Sequence, residues 1–151
     1  HYPLRRQRQM CIRDRLLSVW MTRLHCLFIN RSDVKEALKT ILAGIDNIKN
    51  GISMCIFPEG TRNKTEDLML PFKEGSFKMA EKTGCLIVPM AISGSADILE
   101  AHFPKVKPVH VIVEYGKPID PKSLDKDTRK KLGSHCQGVI AEMLEKNNPQ
   151  I

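Results

Sequence analysis

Residues Ile52 to Phe57 form a short, uncharged, largely apolar run that breaks abruptly into Pro58-Glu59-Gly60-Thr61-Arg62. An apolar run of this length, bounded by turn residues, reads as a buried strand that presents charged groups at its C-terminal end. Open α/β sheets bind their ligands at that end of their strands.

The surrounding pattern predicts strands alternating with helices. Leu16, Leu17, Trp20, Met21, Leu24 and Leu27 mark one face of a helix whose other face carries Ser18, Thr22 and Arg23. Cys26 to Asn30 is a short strand ending at Arg31-Ser32-Asp33. A clearer helix follows: Val34, Leu38, Ile41, Ile45 and Ile48 recur at helical spacing, with Asp33 and Glu36 placed as a capping box and Asn50-Gly51 as the stop. Beyond the strand at Ile52 to Phe57 lie a polar loop, Lys64 to Met69, and a helix, Lys73 to Lys82, stopped by Thr83-Gly84. Cys85 to Ile92 is a further strand, with Pro89 marking an edge or a strand end. A short helix at Ala96 to Ala101, a strand at Val109 to Tyr115 and a last helix from Asp127 to Lys146 complete the order. Leu132, Cys136, Val139, Ile140, Met143 and Leu144 draw the core face of that last helix. The expected fold class is α/β: a mixed, largely parallel sheet flanked by helices.

With 151 residues and 42% apolar composition, one domain with a real core is expected over residues 16–151. Residues 1–15 lack periodicity and read as a non-native or disordered leader. They hold five arginines against one aspartate, so only +3 of the net +7 falls on the rest of the chain. That balance and an aromatic content of 5% argue against a nucleic-acid binder, which needs a basic surface and stacking platforms. A slight attraction to an anionic membrane surface is compatible with it. Five scattered cysteines without Cys-x-x-Cys or Cys/His clusters point to a reduced, cytoplasmic setting and to no metal site. No stretch has the run of about 18 apolar residues that spans a bilayer, and no signal-peptide core follows the leading arginines.

Arg31 ends one predicted strand and Arg62 follows the next. A right-handed crossover between them brings both guanidiniums to one sheet edge. Such a pair suits a phosphate, because each guanidinium offers a bidentate fork to phosphate oxygens. Read bare, Arg62 equally fits a structural ion pair with Glu59 or Glu66. Glu59 either caps the turn or helps position a substrate. Gly60 permits positive φ or close backbone approach, and Thr61 either donates to an anion or locks the turn. Lys73 opens a predicted helix, a natural anion site, or is simply solvated.

The segment Phe57-Pro58-Glu59-Gly60-Thr61-Arg62 resembles the signature of the glycerolipid acyltransferases, of the 1-acyl-sn-glycerol-3-phosphate acyltransferase type. Phe28-Ile29-Asn30-Arg31, Leu70-Pro71-Phe72-Lys73-Glu74-Gly75 and Val88-Pro89-Met90-Ala91 resemble other blocks of that family in the same order, so the resemblance spans Trp20 to Gly116. It implies a glycerol-3-phosphate acyltransferase-like fold and transfer of an acyl group from an acyl thioester to lysophosphatidic acid, giving phosphatidic acid. It further implies substrate binding by Arg31, Glu59, Gly60, Thr61, Arg62 and Lys73, and no bound cofactor. Acyl-CoA or acyl-carrier protein is the implied co-substrate, and the implied place is peripheral, at the cytoplasmic face of the membrane.

The family's upstream His-x-x-x-x-Asp is missing. Five positions after His1, His25, His102, His110 and His135 stand Arg6, Asn30, Lys107, Tyr115 and Ile140. In the family that histidine takes the proton of the acceptor hydroxyl. The expectation is therefore a domain lacking its N-terminal part and its catalytic base, inactive as it stands, with His25 a helix-end or partly buried residue. The alternative is a non-catalytic lipid- or phosphate-binding domain.

Overall fold

The structure, a computed structural model, describes residues 15–29, 33–65 and 67–150. The chain divides into two compact units, His1–Met54 and Cys55–Ile151.

The first unit is helical. α1 (Arg15–Arg23) and α2 (Val34–Lys49) each end in the same backbone motif. After α1, the Cys26 N–H donates to the Met21 carbonyl and the His25 N–H to that of Thr22; after α2, Ile52 donates to Asn47 and Gly51 to Ile48. This pair of bonds needs a left-handed residue at the stop, supplied by Gly51 at φ +81° and by His25 at φ +54°. At the other end of α2, the Asp33 carboxylate accepts from the backbone N–H groups of Lys35 at 2.8 Å and Glu36 at 3.2 Å, as the capping pattern requires. Ile41, Ile45 and Ile48 turn inward, while Val34 and Leu38 at the start of the same stripe are exposed.

Two expected strands do not form among the described residues. Residues 26–29 and 52–57 join no ladder among the described residues, and Phe28, Ile29, Ile56 and Phe57 are exposed, Phe57 by 70%. A strand exists only through its partners, and neither segment has one among the described residues.

The second unit carries the sheet, and that sheet corrects the expected topology. It has two strands, β1 (Met90–Ser93) and β2 (Ile112–Tyr115), and they run antiparallel rather than parallel. Most of the predicted strand from Cys85 to Ile92 lies outside the ladder, although Ile87 and Ile119 form an isolated antiparallel bridge with bonds of 2.9 and 2.7 Å. Two residues separate Ile87 from Met90, whereas three separate Tyr115 from Ile119, so the register slips by one. Gly116 sits in this bulge, its N–H on the Pro89 carbonyl at 2.8 Å. A Cβ there would lie 3.2 Å from the Met143 sulfur.

The expected helix over Lys73 to Lys82 is one 3-10 turn, Glu74–Phe77, followed by α3 (Lys78–Thr83) and a left-handed Gly84. α4 (Ala96–Leu99) runs into a second 3-10 turn, Glu100–His102. The last predicted helix is broken at Lys131 into α5 (Lys126–Lys130) and α6 (Leu132–Asn147). The break has a reason. Lys131 gives α6 no side-chain cap, and the Glu74 carboxylate accepts from the Gly133 N–H at 3.2 Å instead. The core packs around this junction: Phe77, Leu132 and Cys136 are buried, with Phe72, Ile87, Ile119 and Leu124 against them. At its far end, α6 is tied to β2, because Glu114 accepts from Lys146 at 2.8 Å and from the buried Asn147 at 2.7 Å. Those two hydrogen bonds, the lysine's first, hold the Glu114 carboxyl below its ordinary range.

Leu132 is wholly enclosed, so Leu132→Ala should cost about 2–5 kcal/mol, whereas Glu74→Ala, which removes one helix cap, should cost about 1 kcal/mol. Urea titrations of the two variants check this ordering. Burial, and next the Glu74 charge, push the Cys136 thiol up to about 11. At about pH 8, native alkylation read by peptide mass spectrometry should therefore label the exposed Cys26 and Cys55 and spare Cys136.

Candidate functional site

The segment singled out in the sequence is a pinned loop. The Gly60 N–H donates to the Phe57 carbonyl at 3.0 Å, closing a turn with Pro58 and Glu59 at its centre. Pro early and Gly last is the residue order such turns favour. Gly60 lies at φ +70°, a conformation that a side chain would strain.

Two further bonds stitch this turn to the segment after it. The Glu59 carboxylate accepts from the Leu70 N–H at 2.9 Å, and the Pro58 carbonyl accepts from the Lys73 N–H at 3.1 Å. On the other side of Arg62, Asn63 organises its own turn. Its Oδ1 accepts from the Thr65 backbone at 2.9 Å and hydroxyl at 2.8 Å, and its Nδ2 donates to the Asp67 carbonyl at 2.6 Å. Arg62 thus stands between two fixed points of backbone.

Its side chain is oriented by an acid that the sequence did not indicate. Arg62 Nη1 lies 2.6 Å from Glu100 Oε1, with the two side chains 62% and 51% exposed. Of the two partners weighed from sequence, Glu59 is committed to Leu70, and Glu66 lies outside the described residues. A single contact through Nη1 leaves the Nε–Nη2 edge of the guanidinium for a second anion. An exposed pair of this kind contributes only about 0–1 kcal/mol, so an incoming dianion can compete for the arginine.

The other expected site residues divide. Thr61 is exposed beside Arg62. Lys73 joins the loop through its backbone, with its side chain exposed. It opens a single 3-10 turn, not the helix whose N-terminus was expected to attract an anion. Arg31 lies outside the described residues, and with it the expected convergence on Arg62. Val88-Pro89-Met90-Ala91 leads into β1, where Ala91 is buried. His25 is the exposed left-handed stop of α1, a helix-end role as expected, although it is not partly buried. Among the described residues no three His, Cys, Asp or Glu side chains are grouped to hold a metal ion, and no helix is long and apolar enough to cross a membrane.

A family model described as Acyltransferase matches residues 7–93. The 1-acyl-sn-glycerol-3-phosphate acyltransferase of Saccharomyces cerevisiae is 35% identical over 120 residues, covering 78% of this chain and 39% of that protein. The enzyme of the same name from Salmonella typhimurium is 31% identical over 126 residues, covering 83% of this chain and 50% of that one. In structure, the chain resembles the 1-acyl-sn-glycerophosphate (LPA) acyltransferase PlsC from Thermotoga maritima, with a TM-score of 0.71 and 26% identity over 86% of this chain and 50% of that one. This chain therefore spans half or less of the length of these relatives.

Glu59→Gln keeps an oxygen for the Leu70 N–H, whereas Glu59→Ala removes it. Amide exchange at Leu70 should accelerate about tenfold in the alanine variant, corresponding to a lost bond to a charged group of about 1.5 kcal/mol. The glutamine variant should fall between it and the wild type.

Proposed function

This chain belongs to the acyltransferase family, and on that premise we propose that it carries the acceptor-binding part of an enzyme that acylates lysophosphatidic acid to phosphatidic acid. The observation that carries this reading is the Arg62 guanidinium, set between pinned turns and oriented through one nitrogen by Glu100. The substrate phosphate takes the remaining fork of Arg62, with Thr61, the Gly60 backbone and Lys73 beside it. Glu59 acts by fixing the loop rather than by touching the glycerol.

In the reaction, the free hydroxyl of the acceptor attacks the carbonyl carbon of an acyl thioester. A C–O bond forms, the C–S bond breaks, and the hydroxyl proton ends on the departing thiol. The donor is acyl-CoA or acyl-carrier protein, and no bound cofactor is needed. The hydroxyl requires a base, a contribution of roughly 10²- to 10⁴-fold. His25 does not supply it, being the stop of a helix with Asn30 rather than an aspartate five residues on. The chain by itself therefore binds lysophosphatidate and transfers acyl groups far more slowly than a version supplied with an upstream His-x-x-x-x-Asp.

The acceptor is itself a lipid. We place the protein peripherally on anionic membrane at the cytoplasmic face, with the exposed Trp20 of α1 and the exposed Leu24 just beyond it as one contact.

Calorimetric titration with a short-chain, monomeric lysophosphatidate tests the phosphate site. Arg62→Ala should weaken binding by about tenfold or more, the worth of a charge-assisted bond of roughly 1.5–3 kcal/mol. Arg62→Lys should recover only part of it, because an ammonium lacks the bidentate fork. Equal binding by wild type and Arg62→Ala would remove Arg62 from the site.

A further inference from the structure

Residues 95–110 are the longest unbroken run of exposed residues among those described. The run leaves β1 through α4 and the turn Glu100–His102, then returns toward β2. Its tip is shaped by two backbone bonds, from the Lys105 N–H to the His102 carbonyl at 2.9 Å and from the Lys107 N–H to the Ile98 carbonyl at 3.0 Å. Phe103 and Val106 stand out from that tip, 78% and 71% exposed. Lys105 and Lys107 flank Val106, and no acidic residue occurs from Ala101 to Val113. The acids at the base are Asp97 and Glu100, and Glu100 is occupied by Arg62.

We propose that this tip is a membrane-docking element, with Phe103 and Val106 entering the interface of an anionic bilayer and Lys105 and Lys107 seated among its headgroups. One aromatic and one branched side chain on a narrow tip fall far short of the roughly 800 Å² per partner that a standard protein interface buries. They suit a lipid interface, where shallow apolar insertion adds to the attraction between lysines and anionic lipid. Lysine suits that place, because its stem can lie along apolar surface while its ammonium group stays in water. The proposal deepens the phosphate-site reading and rests on it for its purpose. Through Glu100 the base of the tip is bonded to Arg62. Docking by the tip therefore brings that arginine to the depth at which the phosphate of a membrane-borne lysophospholipid lies.

Trp20 is the only tryptophan of the chain, so a variant of the whole chain carrying Trp20→Phe and Phe103→Trp reports from the tip alone. With vesicles of phosphatidylcholine and phosphatidylglycerol in equal parts, its emission should shift to the blue and be quenched by lipids brominated on the acyl chain. Pure phosphatidylcholine should produce much less of both. Lys105→Gln and Lys107→Gln should each weaken vesicle binding about fivefold, and Phe103→Ser about tenfold or more. Raised salt should erase the lysine effects. Unshifted, unquenched emission from the tip indole in vesicle-bound protein would overturn the proposal, since binding would then run through other segments. A blue shift that grows with protein concentration in the absence of vesicles would overturn it in favour of contact between copies. Arg62→Ala in the same background separates the two readings. Loss of lysophosphatidate binding with the vesicle-induced blue shift kept supports both, whereas unchanged lysophosphatidate binding defeats the phosphate site and leaves the docking result standing.

Discussion

The carboxylate of Glu74 reaches the backbone of Gly133 across 59 positions of sequence, and the second unit is organised around that reach. Residues 70–74 act as a strap with bonds on two sides. Leu70 and Lys73 donate to Glu59 and Pro58 of the signature loop, while Phe72 donates to Gln137 of α6 at 3.2 Å and Glu74 caps that helix. Every bond uses a backbone group at one end, so the strap fixes chain paths and leaves the charged side chains of Arg62 and Lys73 at the surface. The space is tight as well. A Cβ at Gly133 would come within 2.6 Å of a Glu74 carboxylate oxygen, so the cap and the absent side chain at that position depend on each other.

What could be read from sequence was what is local. The stop of α2 at Asn50-Gly51, its Asp33 cap, the end of α3 at Gly84 and the inward stripe of α6 all depend on residues within one or two turns of each other, and all are present. Strands were legible only where a partner exists. Val109 to Tyr115 is trimmed to β2 and pairs with β1, but the apolar run at 52–57, as strand-like by composition, has no neighbour among the described residues. Hydrophobicity indicated that the run seeks burial without naming what would bury it. The break in the last helix has a related cause: no glycine or proline between Asp125 and Leu132 marks a stop, and only the distant Glu74 bears on why α6 begins at Leu132.

The site shows the same limit. The segment from Phe57 to Arg62 is legible because its turn chemistry is contiguous, and Gly60 takes the positive φ that its residue type permits. The residue that orients Arg62 was not found. Glu100 sits in the short predicted helix Ala96 to Ala101 with nothing local to single it out, and only the path of the chain through β1 and α4 carries it to the guanidinium. Glu59, weighed as a possible substrate contact, is engaged with a backbone N–H.

The extra residue opposite Pro89 acts as a phase shifter. In an unbroken strand Ile119, four positions beyond Tyr115, would share the outward face on which Tyr115 is exposed. One additional residue in Gly116-Lys117-Pro118 reverses the alternation, so Ile119 joins the face of Ile112 and Glu114 and packs with Ile87 on the core around Phe77, Leu132 and Cys136. The chain leaving the sheet thus enters the core through an odd-numbered step. The spacing between β2 and Ile119 is therefore a counted quantity. Side chains there can vary in kind, but adding or removing one residue would send the isoleucine into solvent and leave Ile87 without its partner.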